Sequence, residues 1–231
     1  MSRLREYVCA QNARLPEERL VTLTWGNVSG RDGDLIAIKP SGVPYAAMTP
    51  ADVVVLDLSG DVVAGELRPS IDTPTHLELY REFPGVGGMV HVHSPHATAF
   101  AQARKPLECL GTTHADHFAG AVPVTRPLRA DEVADEYEAN TGRVIVQHFR
   151  THHIDPRHVP AVLAAGHGPF VWGDDASTAV DNAVALEACA RMALLTGALT
   201  GVPPDPLEGW ILAKHHERKH GTDAYYGQGK P

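Results

Sequence analysis

The sequence predicts an α/β fold in which helices cover a mixed, largely antiparallel sheet. Hairpin signals are the first observation, because turn residues at 31–34 and 59–61 separate short apolar segments. The second is that strand and helix signals are interspersed rather than strictly alternating, unlike a doubly wound parallel sheet. The third is that 231 residues, 43 % of them hydrophobic, contain no repeat or dividing linker. We therefore expect one domain over residues 1–231.

Apolar periodicity and turn residues predict the elements of the first half of the chain in order. Apolar residues at helical spacing indicate a helix over 4–15, and β-branched residues indicate a strand over 21–28. Thr73 followed by Pro74 favours a helix start, since proline fits the first helical position. Further strands are expected at 35–38, 53–58 and 62–64.

The second half of the chain repeats these signals. Ser94 followed by Pro95 again predicts a helix start, and Asp175 is placed to cap a long helix rich in Ala and Leu. Strands are expected at 89–93, 122–125, 159–165 and 169–172. Helices are expected at 95–102, 131–149, 175–196 and 210–218.

Composition excludes several classes of protein. With 20 basic and 28 acidic residues the net charge is −8, so the chain lacks the basic excess of a nucleic-acid binder. No apolar run approaches membrane-spanning length, and we expect no membrane partner. Three scattered cysteines suit reduced thiols in a cytoplasm. The unusual feature is 14 histidines, which points to metal or proton chemistry.

Three histidines and one carboxylate are candidate metal ligands. His91 and His93 share one face of a predicted strand, about 6–7 Å apart, so they converge on a cation or face solvent. His167 lies between two glycines, as a pocket residue or as an ordinary turn residue. Asp72 precedes a helix start, where capping alone would explain it. Together the four would suit Zn²⁺ or a neighbouring transition metal.

A second motif, His216-Glu217-x-x-His220, matches the H-E-x-x-H helix of zinc proteases. Only 11 residues follow His220, and Lys214, Arg218 and Lys219 would repel a dication. We therefore interpret this match as a coincidence in a histidine-rich chain.

Three small-residue segments could bind a phosphate monoester or form ordinary turns. They are 25–27, 39–42 and 69–70, and none is a nucleotide-binding fingerprint. Asp116 lies in a predicted polar loop, and Tyr225-Tyr226 stands on a polar tail, where a tyrosine hydroxyl could transfer a proton.

Seven sequence blocks occur in one order along nearly the whole chain: LVTLTWGNVS at 20–29, IKPSGV at 38–43, DTPTH at 72–76, VHVHSPHAT at 90–98, GTTHAD at 111–116, HGPFVWG at 167–173 and KHG with AYYGQ at 219–228. With them the chain resembles the class II sugar-phosphate aldolase/epimerase (aldolase class II/adducin) family, and within it the L-ribulose-5-phosphate 4-epimerases. The resemblance implies an αβα sandwich, a four-fold symmetric homotetramer with interfacial active sites, and a divalent metal, usually Zn²⁺, with Mn²⁺ or Co²⁺ as alternatives.

The resemblance also implies residue roles. The expected metal residues are Asp72, His91, His93 and His167. Aldolases of the family have glutamate at the first of these positions, so aspartate favours the epimerase branch. The expected substrate and phosphate contacts are Gly26, Asn27, Lys39, Ser41, Gly42, Ser70 and Ile71. The last of these departs from close relatives, which have a second serine there.

The implied reaction interconverts L-ribulose 5-phosphate and D-xylulose 5-phosphate, as in L-arabinose-type catabolism. It cleaves the bond between C3 and C4 and re-forms it on the opposite face, with the metal acting as a Lewis acid. Asp116 and Tyr226 match the acid–base pair, which reaches the metal from a neighbouring subunit, and His215 matches a supporting histidine. The alternatives are a class II sugar-phosphate aldolase of the fuculose-phosphate type and a non-catalytic adducin-like interaction domain.

Overall fold

A single antiparallel sheet forms the centre of the protein, which a computed structural model describes for residues 1–222 and 224–225. Its strands are β1 (Gly26–Asp32), β2 (Leu35–Ile38), β3 (Val54–Asp57), β4 (Val62–Ala64), β5 (Gly88–Val92), β6 (Ala161–Leu163) and β7 (Pro169–Gly173). Their order is β4-β3-β2-β1-β5-β7-β6, and every neighbouring pair is antiparallel. Within the described residues the one parallel contact is a bridge between Val124 and Leu163.

Helices cover both faces of this sheet. They are α1 (Ser2–Glu17), α2 (Thr73–Glu82), α3 (Pro95–Ala103), α4 (Thr112–Ala115), α5 (Ala130–Ala134), α6 (Tyr137–Thr151), α7 (Ala176–Thr200) and α8 (Gly209–His220). Side chains alternate along β5 and β7 because successive residues of a strand point to opposite faces. Val90 and Val171 pack with α1, α3 and α7, whereas Met89 and Phe170 pack with α2 and α6. The expected αβα sandwich is confirmed.

Several predicted elements are wrong in detail. The strand expected at 21–28 begins only at Gly26, because Leu23 adopts a left-handed conformation (φ 54°) within a turn. The segment 122–125 makes isolated bridges, to Leu107 and to Leu163 of β6, and does not extend them into a strand. The helix expected at 131–149 is two helices, interrupted where Glu136 takes φ 50°. Residues 112–115 of the predicted polar loop form α4.

The long helix α7 differs from the sequence expectation in one respect. Asp175 caps it as predicted, accepting from the backbone N–H of Thr178 at 2.8 Å. Among the described residues, however, α7 is long and apolar enough to cross a membrane by length and composition, with a mean hydropathy of 1.4. Its buried residues all lie within 176–190, where the helix packs on β5 and β7. The expectation that no apolar run approaches spanning length was therefore wrong for this helix.

Helices α2 and α6 pack closely against each other on the face of the sheet that Met89 and Phe170 share. A Cβ at Gly142 of α6 would lie 2.7 Å from Cβ of Glu78, so only glycine permits this separation of the two helices. The Thr75 hydroxyl donates to the carbonyl of Glu138 at 2.6 Å. The start of α2 and the first turn of α6 are consequently fixed relative to each other.

Candidate metal and substrate site

Three adjacent strands at the middle of the sheet bring the expected metal histidines together. In the register of the sheet Asn27 lies opposite His91, and His91 lies opposite Phe170. His93 follows the end of β5, and His167 lies in the turn between β6 and β7. One ring nitrogen from each histidine lies within 4.8 Å of the other two, and Nε2 of His91 is 3.1 Å from Nε2 of His93.

The ring of His91 is held in an orientation suited to metal binding. Its Nδ1 lies 2.9 Å from the carbonyl oxygen of Pro169, and because a carbonyl only accepts, Nδ1 carries the proton. In the neutral tautomer the lone pair then lies on Nε2, which faces the other two histidines. The ring of Phe170 stacks on that of His91 at 4.1 Å between centroids and 15° between planes.

The other two histidines are neutral at physiological pH. Burial, followed by the like charges of His91 and His93, lowers the pKa of His167 to about 4. Burial likewise lowers the pKa of His93. A metal ion binds the neutral imidazole, so this cluster of unprotonated nitrogens fits a divalent transition metal.

Asp72 occupies the position before α2, but its carboxylate does not cap the helix. Its Oδ2 accepts from Nδ2 of Asn27 at 2.7 Å and from the Ser70 hydroxyl at 3.3 Å. Burial alone would raise the pKa of Asp72, but the charges of His91 and His76 and the Asn27 hydrogen bond outweigh it and lower the pKa. The side chain is therefore a carboxylate beside the histidines, and capping does not explain it.

One cleft of about 290 Å³ joins the histidines and Asp72 to every residue expected to contact substrate. Lys39 is 2 % exposed, and its Nζ donates to the Pro40 carbonyl at 3.1 Å and lies 5.0 Å above the Tyr45 ring. Burial lowers the pKa of Lys39. Ile71, by contrast, is 67 % exposed at the edge of the cleft. The seven residues are Gly26, Asn27, Lys39, Ser41, Gly42, Ser70 and Ile71.

Asp116 and His215 meet at a second place in the fold, where α4 packs against α8. Nδ1 of His215 lies 3.1 Å from Oδ1 of Asp116, and Arg218 donates to both carboxylate oxygens at 3.0 and 2.7 Å. Burial would raise the pKa of Asp116, but Arg218 and His215 more than offset it and lower the pKa. Asp116 does not line the cleft of its own chain. Tyr226 lies outside the described residues.

His216 and His220 of the H-E-x-x-H match lie on one face of α8, with ring centroids 4.7 Å apart. Nε2 of His220 donates to the backbone carbonyl of Asp116 at 2.8 Å. Where the chain is described, the His91, His93 and His167 triad is the one group of three potential ligands within 4.8 Å. The interpretation of this match as a coincidence agrees with that arrangement.

Sequence reasoning missed two supports of the site. Phe170 belongs to the HGPFVWG block, but its stacking on His91 depends on the pairing of β5 with β7, so no local signal indicated it. His76 is completely buried one turn after Asp72, and its Nδ1 lies 2.7 Å from the Ser29 hydroxyl, itself 2.8 Å from the Tyr80 hydroxyl. Burial lowers the pKa of His76 to about 3, so it is a neutral side chain, and its ring packs edge-on against Phe170 at 6.2 Å between centroids.

Known proteins with a similar structure or sequence include aldolases and aldolase-like proteins. An L-fuculose 1-phosphate aldolase structure has a TM-score of 0.79 at 26 % identity, over 94 % of this chain and 96 % of its own. The L-fuculose-1-phosphate aldolase of Thermus thermophilus has a TM-score of 0.69 at 25 % identity, over 87 % of this chain and 100 % of its own. YgbL of Escherichia coli, a putative aldolase/epimerase/decarboxylase, has a TM-score of 0.74 at 24 % identity, over 92 % of this chain and 97 % of its own. At that identity the similarity shows the fold alone. The family described as Class II Aldolase and Adducin N-terminal domain matches residues 6–194, more than half of the sequence, and the chain belongs to that family.

Proposed function

We propose that this protein is a metal-dependent epimerase that interconverts L-ribulose 5-phosphate and D-xylulose 5-phosphate. The observation that carries the proposal is the cleft that joins the three histidines, Asp72 and a set of phosphate-binding candidates. Aspartate at position 72 is one methylene shorter than the glutamate of the aldolases that the sequence resembles. Its carboxylate is already engaged by Asn27 and Ser70, which favours a positioning role over proton abstraction.

In this proposal His91, His93 and His167 hold a divalent metal, with the Asp72 carboxylate beside them. Nitrogen and carboxylate donors suit Zn²⁺, and Mn²⁺ and Co²⁺ accept the same set. The metal supplies Lewis acidity to the reaction. The protein holds the histidines in place through the Pro169 carbonyl and the Phe170 ring.

In this proposal the same cleft also binds the phosphate group of the substrate. Ser41 and Ser70 offer hydroxyl groups, Gly42 offers a backbone N–H, and Lys39 contributes a buried positive charge. C3–C4 cleavage releases a two-carbon fragment that carries the phosphate. These contacts keep that fragment in the cleft while it turns, so that re-addition inverts C4 rather than completing a net cleavage.

Proton transfer in this proposal belongs to Asp116 and Tyr226. The C4 hydroxyl must lose a proton on cleavage, and the aldehyde oxygen must regain one on re-addition. Because Asp116 does not line the cleft of its own chain, we place it in the cleft of a neighbouring copy within a homotetramer. His215 and Arg218 hold its carboxylate in position for that role.

A class II sugar-phosphate aldolase is the second candidate, favoured by the 26 % identity with an L-fuculose 1-phosphate aldolase over nearly the full chain. Purified protein incubated with L-ribulose 5-phosphate should accumulate D-xylulose 5-phosphate, and a chelator should stop the reaction. The same preparation with L-fuculose 1-phosphate measures the release of dihydroxyacetone phosphate and free aldehyde. Faster net release from the second substrate, with no epimer from the first, would replace the epimerase proposal by the aldolase one.

A further inference from the structure

His167 stands between two spaces of very different size. On one side is the cleft of about 290 Å³, and on the other is a cavity of about 20 Å³ behind the β6–β7 turn. His167 lines both spaces, and it is the one residue common to the two linings. Three hydroxyl-bearing residues, Thr125, Tyr137 and Thr141, line the small cavity. The imidazole of His167 therefore separates the cleft from a polar space.

The buried Nδ1 of His167 has no hydrogen-bond partner among the residues that the structure describes. A neutral histidine that gives one ring nitrogen to a metal carries its proton on the other. Ligating histidines nearly always donate that N–H to a carboxylate, a carbonyl or a water, which fixes the orientation of the ring. His91 satisfies the rule through Pro169, whereas His167 requires a partner from another source.

The small cavity can supply that partner. A space of roughly 10–15 Å³ is enough for one water molecule, which needs two to four polar neighbours. The Thr141 hydroxyl donates to the Tyr137 carbonyl at 3.0 Å, which leaves its lone pairs free to accept. The Thr125 hydroxyl accepts from the backbone N–H of Ala165 at 3.1 Å, which leaves its own proton free to donate.

Arg126 also lines the cavity but is committed elsewhere. Its guanidinium makes a two-pronged ion pair with Glu132 at 2.8 and 2.7 Å. Tyr137 lies on the cavity side of His167, and the centroids of the two rings are 6.3 Å apart. Because α6 is locked to α2 through Gly142 and Thr75, the hydroxyls of α6 are held at a fixed position relative to the site.

We propose that one water molecule in this cavity accepts the Nδ1 proton of His167 and bonds to the Thr125 and Thr141 hydroxyls. Thr141 is then a positioning residue for a metal ligand, and Tyr137 closes the cavity. This inference rests on the proposed metal site. It predicts that metal affinity depends on a hydroxyl group that touches neither metal nor substrate.

The test compares Thr141→Val, which keeps the shape of the side chain but removes the hydroxyl, with Thr141→Ser, which keeps the hydroxyl. Affinity for Zn²⁺ is measured by competition with a chromogenic chelator, and the visible spectrum of the Co²⁺-loaded protein reports ligand geometry. Loss of a partner that orients a ligand weakens metal binding about 10–100-fold, and we expect this for valine and wild-type affinity for serine. Thr151→Val, the same change at the exposed end of α6, is the matched control.

Two further measurements separate the possible outcomes. Thr125→Val, which removes the other hydroxyl proposed to bond the water, serves if Thr141→Val does not fold, and it should also weaken metal binding and alter the Co²⁺ spectrum. A crystal structure at high resolution should show water density within hydrogen-bond distance of Nδ1. If the two variants that remove a hydroxyl from the cavity keep the wild-type Zn²⁺ affinity and the wild-type Co²⁺ spectrum, this inference is overturned while the metal site stands. Failure of the wild-type protein to bind Zn²⁺ or Co²⁺ would overturn the metal site itself.

Discussion

The side-chain amide of Asn27 donates to the carboxylate of Asp72 over 2.7 Å, and the same Nδ2 lies 3.0 Å from the Ser70 hydroxyl. Asn27 is also the residue opposite His91 in the sheet. This one residue of β1 therefore connects the strand that carries His91, the carboxylate before α2 and a phosphate-binding candidate. Replacing Asn27 should therefore affect the His91 strand, the Asp72 carboxylate and Ser70 together.

Replacing Asn27 by alanine should shift the acidic limb of the pH–activity profile upward. The Asn27 hydrogen bond is one of the influences that lower the pKa of Asp72, so its loss raises that pKa. The carboxylate then becomes protonated at a higher pH as the solution is acidified, and activity falls earlier. The measurement is kcat/KM against pH for both proteins. An unchanged acidic limb in an active variant would contradict the role assigned to Asp72.

His93→Ala should lose bound metal and activity together, since it removes one of three clustered nitrogens. Metal content after dialysis and the rate of epimer formation are measured on the same preparation. His152→Ala, an exposed histidine at the end of α6, should retain both. A metal-free His93→Ala protein with full activity would refute the site.

Mixing two inactive variants tests whether one active site draws on two subunits. His93→Ala removes the metal half of a site and Asp116→Asn removes the proposed proton-transfer half. If neighbouring copies contribute the two halves, random co-assembly restores about a quarter of the sites to wild-type composition. The variants are denatured together, refolded and assayed against each variant refolded alone. Persistent inactivity of properly assembled mixtures would place both groups in one chain.

Ile71→Ser should lower KM for a phosphorylated substrate. Ile71 is 67 % exposed on the cleft, where an added hydroxyl can donate to a phosphate oxygen. A hydrogen bond to a charged group contributes about 1.5–3 kcal/mol, so a change of roughly 10- to 150-fold is expected. Ile71→Val, which adds no donor, is the control. If KM is the same in all three proteins, position 71 has no part in phosphate binding.

Acid should destabilise the fold through His114. This side chain is 4 % exposed, and burial lowers its pKa to about 4, although its hydrogen bond to the Gly120 carbonyl opposes the shift. The unfolded chain takes up the proton near pH 6.5 and the folded chain only near pH 4. Stability is therefore lost as pH falls through that window, by about 2 kcal/mol between pH 7 and 5.

Urea unfolding at the two pH values measures this loss in the wild-type protein and in His114→Gln. The glutamine amide can still donate to Gly120 but takes up no proton in this range. Between pH 7 and 5 the free energy of unfolding of the variant should fall by about 2 kcal/mol less than that of the wild type. An identical fall in both proteins would show that other groups cause the loss.

Local patterns predicted much of the fold. The strands at 35–38 and 62–64 have the expected bounds because turn residues flank each of them. The segment 122–125 shows the limit of such patterns, since buried β-branched residues suit a strand and a buried loop equally. The break at Glu136 was not visible either, because a left-handed conformation is uncommon for glutamate and no glycine marks it.

The site was predictable in its residue types but not in its assembly. Spacing placed His91 and His93 together, yet the approach of His167 depends on the pairing of β5 with β7, which no local pattern contains. Asp116 and His215 are 99 residues apart in sequence and meet because α4 packs on α8. Their proposed roles came from family resemblance rather than from spacing. The cavity behind His167 carried no sequence signal, because its hydroxyls come from separate segments.

The hydrogen bond between His91 and Pro169 spans 78 residues of sequence, and it forms only when β7 has docked against β5. Contacts of such large sequence separation form late in folding, since long loops must close first. The three-histidine cluster is therefore complete only when β5 and β7 have paired. In the proposed metal site, the ligands that both strands position are in place only after this pairing, so metal uptake by refolding protein would report its completion.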